Sequence, residues 1–63
     1  IEKNIIKNII KNINKTDARF IFSGLLKEDK KEMIAYLHEN SFSVDRVESK
    51  DEWISIDCMK NEK

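Results

Sequence analysis

The 63-residue sequence lacks proline and has a single glycine and a single cysteine. With Gly24 as its only glycine, the chain has no glycine-rich loop. With Cys58 as its only cysteine, it has no intrachain disulfide, and a lone cysteine in an apolar pattern is typical of a small core residue. We therefore expect one small domain that depends on its apolar core.

The sequence also lacks an excess of charge of either sign. Its 12 basic and 12 acidic side chains cancel at pH 7. Surfaces that bind nucleic acids or membranes usually carry a basic excess, so we expect neither partner. No apolar run approaches the roughly 20 residues of a membrane-spanning helix, and no signal peptide is visible. We expect a cytoplasmic protein.

Residues that could form a metal or catalytic site are scattered. His38 is the only histidine, and its place near the end of a predicted helix suits the helix dipole. Two carboxylate pairs, Glu28 with Glu32 and Asp51 with Glu52, occur in a chain that is 38% charged. Such pairs are more typical of a solvated surface than of acid–base catalysis. The sequence therefore predicts no metal site and no catalytic residue.

The first 13 residues have the pattern of an amphipathic helix. Its isoleucines recur at spacings of four and one: Ile1, Ile5, Ile6, Ile9, Ile10 and Ile13. Lysines at every fourth position form a weak basic stripe beside them. The pattern is already under way at Ile1, without an initiator methionine, so we expect a cut end of a longer protein.

Three further segments predict strands. Residues 18–23 include three consecutive apolar side chains, which are typical of a strand buried on both faces. Residues 41–48 predict a second strand, and residues 53–59 predict a third, whose alternation places Ile54, Ile56 and Cys58 on one face. The short polar turn at residues 49–51 predicts that the last two strands form an antiparallel hairpin.

A second amphipathic helix is predicted over residues 27–39, between the first two strands. Its apolar face is formed by Leu26, Met33, Ile34 and Leu37. Gly24 follows the first strand directly, so we expect it to form the turn from that strand into the helix. The predicted order is αβαββ, which indicates an α/β fold.

Two short motifs carry a resemblance to a known family. The segment FSGLL, at residues 22–26, and the triplet EWI, at residues 52–54, occur in an order and spacing similar to the C-terminal end of bacterial ribosomal protein L11 methyltransferases. At the first site, that family has four successive positions: a small residue, then glycine, then isoleucine or leucine, then leucine. At the second site, it has Glu-Trp-Val. The resemblance covers residues 18–60.

The resemblance implies a class I methyltransferase with a Rossmann-like fold. The whole enzyme would transfer methyl groups from S-adenosylmethionine to amino groups of a ribosomal protein. Residues 1–63 would be a single partial domain, the C-terminal third of the catalytic domain. They would form a three-stranded mixed sheet with both helices on one face. The last strand would be antiparallel and lie between the other two.

The resemblance also implies what this chain lacks and what it supplies. The family binds S-adenosylmethionine with a glycine-rich loop and an acidic residue that have no counterpart here, so we expect this chain alone to bind no cofactor and to be inactive. Ser23, Gly24 and Trp53 would border the substrate pocket. The alternative is structural, with Gly24 in a plain turn and Trp53 packed on the sheet as part of the core.

Two other function classes stay open. The first is a small homodimeric interaction module with no enzymatic role. The second is a winged-helix nucleic-acid binder, although such a domain needs three helices and a basic recognition helix. As a fragment cut from a larger sheet, the chain would self-associate through residues 18–23 or through the uncovered face of its sheet.

Overall fold

A computed structural model describes residues 2–62. The elements are α1 (Lys3–Lys11), β1 (Ala18–Leu26), a 3-10 helix (Lys27–Asp29), α2 (Lys30–Glu39), β2 (Phe42–Lys50) and β3 (Trp53–Lys60). This confirms the predicted order αβαββ. Both strands of the hairpin extend further than predicted, so its turn is only residues 51–52. None of the helices within residues 2–62 is long and apolar enough to cross a membrane.

The three strands form one sheet in the order β1-β3-β2. β3 pairs antiparallel with β1 on one side and with β2 on the other. The prediction that the last strand lies between the other two, antiparallel to both, is confirmed. The prediction of a mixed sheet is wrong, because β1 and β2 run in the same direction but are never neighbours.

The core lies between one face of the sheet and the two helices. One cluster of buried side chains contains Ile6 and Ile10 of α1, Met33 and Leu37 of α2, Phe22 and Leu25 of β1, Phe42 of β2, and Ile54, Ile56 and Cys58 of β3. Because the cluster joins both helices to the same face of β3, the helices lie on one face, as predicted. The opposite face is called the outer face below. Trp53, Ser55, Asp57 and Met59 of β3 alternate with the buried residues and lie on it.

A β-bulge interrupts β1 at Gly24. Ser23 pairs with Ser55 and Leu25 pairs with Ile54, which leaves Gly24 as the extra residue. Its φ of 78° lies in the left-handed region, which glycine enters without steric cost. The prediction that Gly24 forms the turn from strand to helix is therefore wrong, since β1 continues through it to Leu26.

A second bulge occurs in β2 at Asp45. Val44 pairs with Cys58 and Arg46 pairs with Asp57, so Asp45 is the extra residue. Val44 and Val47 can therefore both turn toward the core although three positions separate them. Each edge strand thus has one bulge. Bulges are common in edge strands, where they hinder pairing with another chain.

α1 is shorter and less buried than its isoleucine pattern predicts. It ends at Lys11, so Ile13 lies beyond it, and Ile1 lies outside the described residues. The side chains of Ile5 and Ile9 are 56% and 46% exposed. A single neighbouring layer covers only part of a helix, and here it covers Ile6 and Ile10.

Two lysines of the basic stripe of α1, Lys3 and Lys7, face α2. Lys3 Nζ lies 3.0 Å from Glu32 Oε1 and 3.6 Å from Asp29 Oδ1. Lys7 also pairs with Glu32, and its ammonium lies 5.2 Å from the ring centroid of Tyr36. These two lysines therefore attach α1 to α2, and their charge is partly neutralised by neighbours within the chain.

Candidate functional site

An open groove of about 670 Å³ lies at one end of the outer face. β1 and β2 both end here and β3 begins here, since the two edge strands run in the same direction. The groove is lined by Ser23, Gly24, Glu48, Ser49, Lys50, Trp53, Ile54 and Ser55. It therefore brings together Ser23, Gly24 and Trp53, the three residues that the sequence places at a pocket rim.

β1 supplies two of these residues from its bulge. Ser23 is exposed and lies opposite Ser55 of the central strand. Gly24 is half-buried beside it. Because the bulge adds one residue to β1 between Ser23 and Leu25, it displaces the end of β1 relative to β3 and bends the strand locally. Gly24 therefore helps to shape the groove from within a strand.

Trp53 is the first residue of β3 and forms one wall of the groove. Its side chain is 51% exposed, so the expectation that it packs as part of the core is wrong. The physical reason is its position, because it lies on the outer face between Leu26 and Lys50, and no further layer covers that face within residues 2–62. The indole thus offers a flat apolar surface to a ligand.

The other wall comes from β2, and sequence reasoning missed it. Glu48 lies opposite Ser55, and Lys50 lies opposite Trp53. Both side chains are exposed, and they contribute a carboxylate and an ammonium to the groove. The pairing of β2 with β3 was predicted, but the bulge at Asp45 shifts the register by one residue. The sequence therefore did not show which β2 residues face Trp53.

The end of the sheet that carries the groove is held by a backbone contact. The Lys27 N–H donates to the Glu52 carbonyl oxygen at 2.8 Å, which connects the start of the 3-10 helix to the hairpin turn. Asp51 in that turn has a φ of 56°, a left-handed conformation that aspartate tolerates better than most residues. A second hollow, lined by Leu26, Lys27, Glu28, Asp51 and Glu52, lies at this end.

The charges at the other end of the outer face are paired with each other. Arg19 Nη1 donates to Asp57 Oδ1 at 3.1 Å and also pairs with Asp45, so one guanidinium connects all three strands. Hydrogen bonds to Asp57 and Asp45 raise the pKa of Arg19. This end of the face is therefore an internally paired ion cluster. Nearer the groove, Arg46 Nε lies 3.6 Å from Glu48 Oε2, so the groove's carboxylate also has a cationic neighbour.

The lining of the groove offers hydrogen-bonding and charged groups but no activated nucleophile. Its lining has three serine hydroxyls, one carboxylate, one ammonium and the indole of Trp53. Cys58 lies on the buried face, and burial raises the pKa of its thiol to about 11, which keeps it protonated near neutral pH. Within residues 2–62, no three His, Cys, Asp or Glu side chains lie close enough together to hold a metal ion.

The described residues do not fit S-adenosylmethionine. The only glycine lies in the β1 bulge, flanked by residues that pair with β3. It is thus not in a loop that leads from a strand to a helix N-terminus, the arrangement that brings backbone N–H groups to a cofactor. A pocket for the methyl donor would need residues beyond those that form this groove.

Comparisons with known proteins identify the family. The family model for ribosomal protein L11 methyltransferase (PrmA) matches residues 3–61, which is nearly the whole chain. Searches of curated proteins and of solved structures give no significant match. The match extends across both helices and all three strands, including α1, where the sequence motifs gave no support. By this match, the chain belongs to the ribosomal protein L11 methyltransferase family.

Proposed function

We propose that these residues form the C-terminal third of the catalytic domain of a class I methyltransferase with a Rossmann-like sheet. The whole enzyme transfers methyl groups from S-adenosylmethionine to amino groups of ribosomal protein L11, in the cytoplasm. Membership of the family supports this proposal. The antiparallel strand β3, inserted between two strands that run in the same direction, is the arrangement expected for the end of such a sheet.

One observation carries the role of this chain: Ser23, Gly24 and Trp53 line one groove at the end of the sheet where β1 and β2 terminate. Ligands of open α/β sheets bind outside the C-terminal ends of the strands that share one direction. The groove therefore lies at the end that such a fold uses for its ligands. In the whole enzyme, β1–β3 would support the sheet, and the groove would form part of the rim of the substrate pocket.

The chemistry assigned to this rim is positioning. Methyl transfer to an amine needs a deprotonated nitrogen in line with the methyl group, and correct placement supplies much of the rate enhancement. The indole of Trp53 would pack against the alkyl part of the acceptor side chain, and the carboxylate of Glu48 would attract its ammonium group before deprotonation. Neither residue takes part in bond making.

The 63-residue chain alone is proposed to be inactive, because its residues do not form a site for the methyl donor. The test uses two polypeptides: this chain, and the product of the complete reading frame that encodes it. Each is incubated with ribosomal protein L11 and S-adenosylmethionine labelled in its methyl group. We expect label on amino groups of L11 only with the complete product, and no heat of cofactor binding with the chain alone.

Two results would contradict the proposal. If the complete product failed to label L11, the proposed activity would be wrong. If the 63-residue chain bound the cofactor with micromolar affinity, the proposal that this chain has no site for the methyl donor would be wrong. A winged-helix function has less support, because residues 2–62 contain two α-helices where that fold needs three. The second of them, α2, also carries Glu32 and Glu39 against Lys30 and Lys31, so it is not a basic recognition helix.

A further inference from the structure

Lys50 and Trp53 are cross-strand neighbours in the groove. Lys50 is the last residue of β2, Trp53 is the first residue of β3, and the register pairs them directly. Residues that lie opposite each other in an antiparallel pair have Cβ atoms about 5 Å apart on one face of the sheet. Both side chains are exposed, and both line the groove. A group that packs on the indole therefore lies within reach of the Lys50 ammonium.

The hairpin turn keeps this pair in place. It contains only Asp51 and Glu52, and Asp51 has the positive φ, 56°, that two-residue hairpin turns favour. On the far side of the turn, the Lys27 N–H donates to the Glu52 carbonyl oxygen at 2.8 Å. The backbone that carries Lys50 is thus held by the β2–β3 ladder and by this hydrogen bond, so the lysine stays beside the groove.

The charged groups around the groove leave it with a net positive charge. Of the charged side chains described in residues 2–62, only Glu48 and Lys50 line it. Arg46 Nε lies 3.6 Å from Glu48 Oε2, so the one carboxylate already has a cationic neighbour. The lining residues from β1 and β3 are uncharged. Two cations therefore stand against one carboxylate on this side of the turn.

The other charged side chains at this end of the sheet lie around the second hollow. That hollow is lined by Lys27 and Glu28 of the 3-10 helix and by Asp51 and Glu52 of the turn, so it carries three carboxylates and one ammonium. None of these four residues lines the groove. Because Coulomb energy falls with distance, Lys50 has the largest effect of these charges on a group that packs against Trp53.

A cation at this place acts on the protonation of the acceptor. Methyl transfer needs the lone pair of the acceptor nitrogen, whereas an ordinary lysine has a pKa of about 10.4 and is almost fully protonated near neutral pH. A like charge within about 4–6 Å disfavours the protonated form. At about 6 Å, a unit positive charge lowers the pKa of an amine by roughly 0.5 in surroundings like water and by roughly 2 at an effective dielectric constant of about 20.

We propose that the Lys50 ammonium disfavours the protonated form of the acceptor amine beside Trp53, and so increases the fraction of the acceptor that can react. The proton that the acceptor loses passes to water, so no side chain of the groove has to accept it. This inference rests on the proposed function, and it adds to the rim a residue that controls the charge of the acceptor.

Glu48 and Lys50 would act in succession. They lie two positions apart on one face of β2, which separates them by about 7 Å along the strand. Glu48 lies opposite Ser55, one cross-strand pair before Trp53, so an incoming ammonium meets the carboxylate first. Arg46 offsets part of that attraction. The acceptor is therefore held weakly at Glu48 and can move on to the indole, where Lys50 favours its neutral form.

The test measures kcat for ribosomal protein L11 with the complete reading-frame product, from about pH 6 to about pH 9.5. The rate should rise with pH along a limb that reports deprotonation of the bound acceptor. Lys50→Gln should move the midpoint of that limb upward by about half a pH unit or more, which is about a threefold or larger loss of rate on the limb. On the plateau above the limb, kcat should equal that of the unaltered enzyme.

Two variants control for the loss of a lysine as such. Lys50→Arg keeps the positive charge and should restore the midpoint. Lys27→Gln removes an exposed ammonium from the same end of the sheet, but from the second hollow, and should leave the midpoint unchanged. Circular dichroism of each variant checks that it is folded, as expected for substitutions of exposed side chains.

Three results would overturn the inference while leaving the proposed function in place. They are a limb that Lys50→Gln does not move, a loss of rate by the same factor at every pH, and a Lys50→Arg variant that behaves like Lys50→Gln. Each of them requires an unaltered product that methylates L11. A complete product that labels L11 at no pH would instead show that the proposed function is wrong, and this inference with it.

Discussion

Phe22 and Leu25 face the same core although three positions separate them along β1. They are 9% and 1% exposed, and they lie opposite Ile56 and Ile54 of β3. Strict alternation would place one of them on the outer face. The bulge at Gly24 adds one residue between them and returns Leu25 to the core. The bulge at Asp45 has the same effect in β2 and allows Val44 and Val47 to share a face.

Gly24→Ala should lower the free energy of unfolding by about 1–2 kcal/mol, because a residue with a Cβ must then adopt the left-handed φ of 78°. Urea denaturation followed by tryptophan fluorescence or circular dichroism would measure this. Ser23→Ala is the control, since Ser23 is exposed in the same bulge and should change stability by less than about 0.5 kcal/mol. Equal stability of both variants would mean that the backbone at Gly24 does not need glycine.

Trp53→Ala should cost much less stability than Ile56→Ala, although tryptophan is the larger side chain. Trp53 is 51% exposed, whereas Ile56 is fully buried in the same strand. Truncation of a buried isoleucine typically costs about 2–5 kcal/mol, and we expect about 1 kcal/mol for Trp53, roughly half of whose apolar surface stays in water. If urea unfolding showed the larger loss for Trp53→Ala, the indole would be packed and the groove closed.

The sequence predicted the order of the elements because their signals are local. The spacing of isoleucines marks α1, alternation marks β3, and the short polar turn marks the hairpin. The position of β3 between β1 and β2 came instead from the family resemblance, because single-strand patterns do not specify which strands are neighbours. The two bulges were missed because a bulge is defined by the register between two strands.

The candidate site was predicted only in part, because some of its residues belong to sequence motifs and others reach the site only through strand register. Ser23, Gly24 and Trp53 belong to the motifs that carry the resemblance, so the sequence marked them. Glu48 and Lys50 belong to no motif, and they reach the groove only through the register of β2 after its bulge. The exposure of Trp53 was missed because it depends on how the outer face is covered, and no further layer covers that face within residues 2–62. The pattern of one strand does not show this.

Cys58 should make stability depend on pH in the alkaline range. Burial raises the pKa of its thiol to about 11 in the folded chain, whereas an unfolded cysteine has a pKa of about 8.5. The protonated thiol therefore favours the folded state, and its contribution is complete below pH 8.5 or so and falls as the pH rises toward 11. Urea unfolding between these limits should show a steeper loss for the unaltered chain than for Cys58→Ala. Parallel curves would contradict a buried thiol.

Glu32 should make stability depend on pH in the acid range. Hydrogen bonds from Lys7 and Lys3 lower the pKa of its carboxyl, so the ionised form favours the folded state. That contribution is present above the unfolded pKa of about 4.3 and is lost as the pH falls below it. At low salt, the free energy of unfolding of the Glu32→Gln variant should therefore fall less steeply with acid than that of the unaltered chain. The difference should be small because the pairs are exposed.

Glu28→Gln is the control for this prediction, because Glu28 is an exposed carboxylate in the adjoining 3-10 helix. The free energy of unfolding of this variant should fall with acid about as steeply as that of the unaltered chain. A Glu32→Gln variant that loses stability with acid as steeply as the Glu28→Gln variant would show that the pairs between α1 and α2 do not form in solution.

The central claim is that the groove beside Trp53 borders the substrate pocket of a methyltransferase. The most direct measurement is the rate of methyl transfer to ribosomal protein L11 by the complete reading-frame product carrying Trp53→Ala. We predict that kcat/KM for L11 falls about tenfold, a loss of ~1.4 kcal/mol, while affinity for S-adenosylmethionine and the rate of an Ile5→Ala control stay unchanged. Transfer by Trp53→Ala at the rate of the unaltered enzyme would contradict the claim.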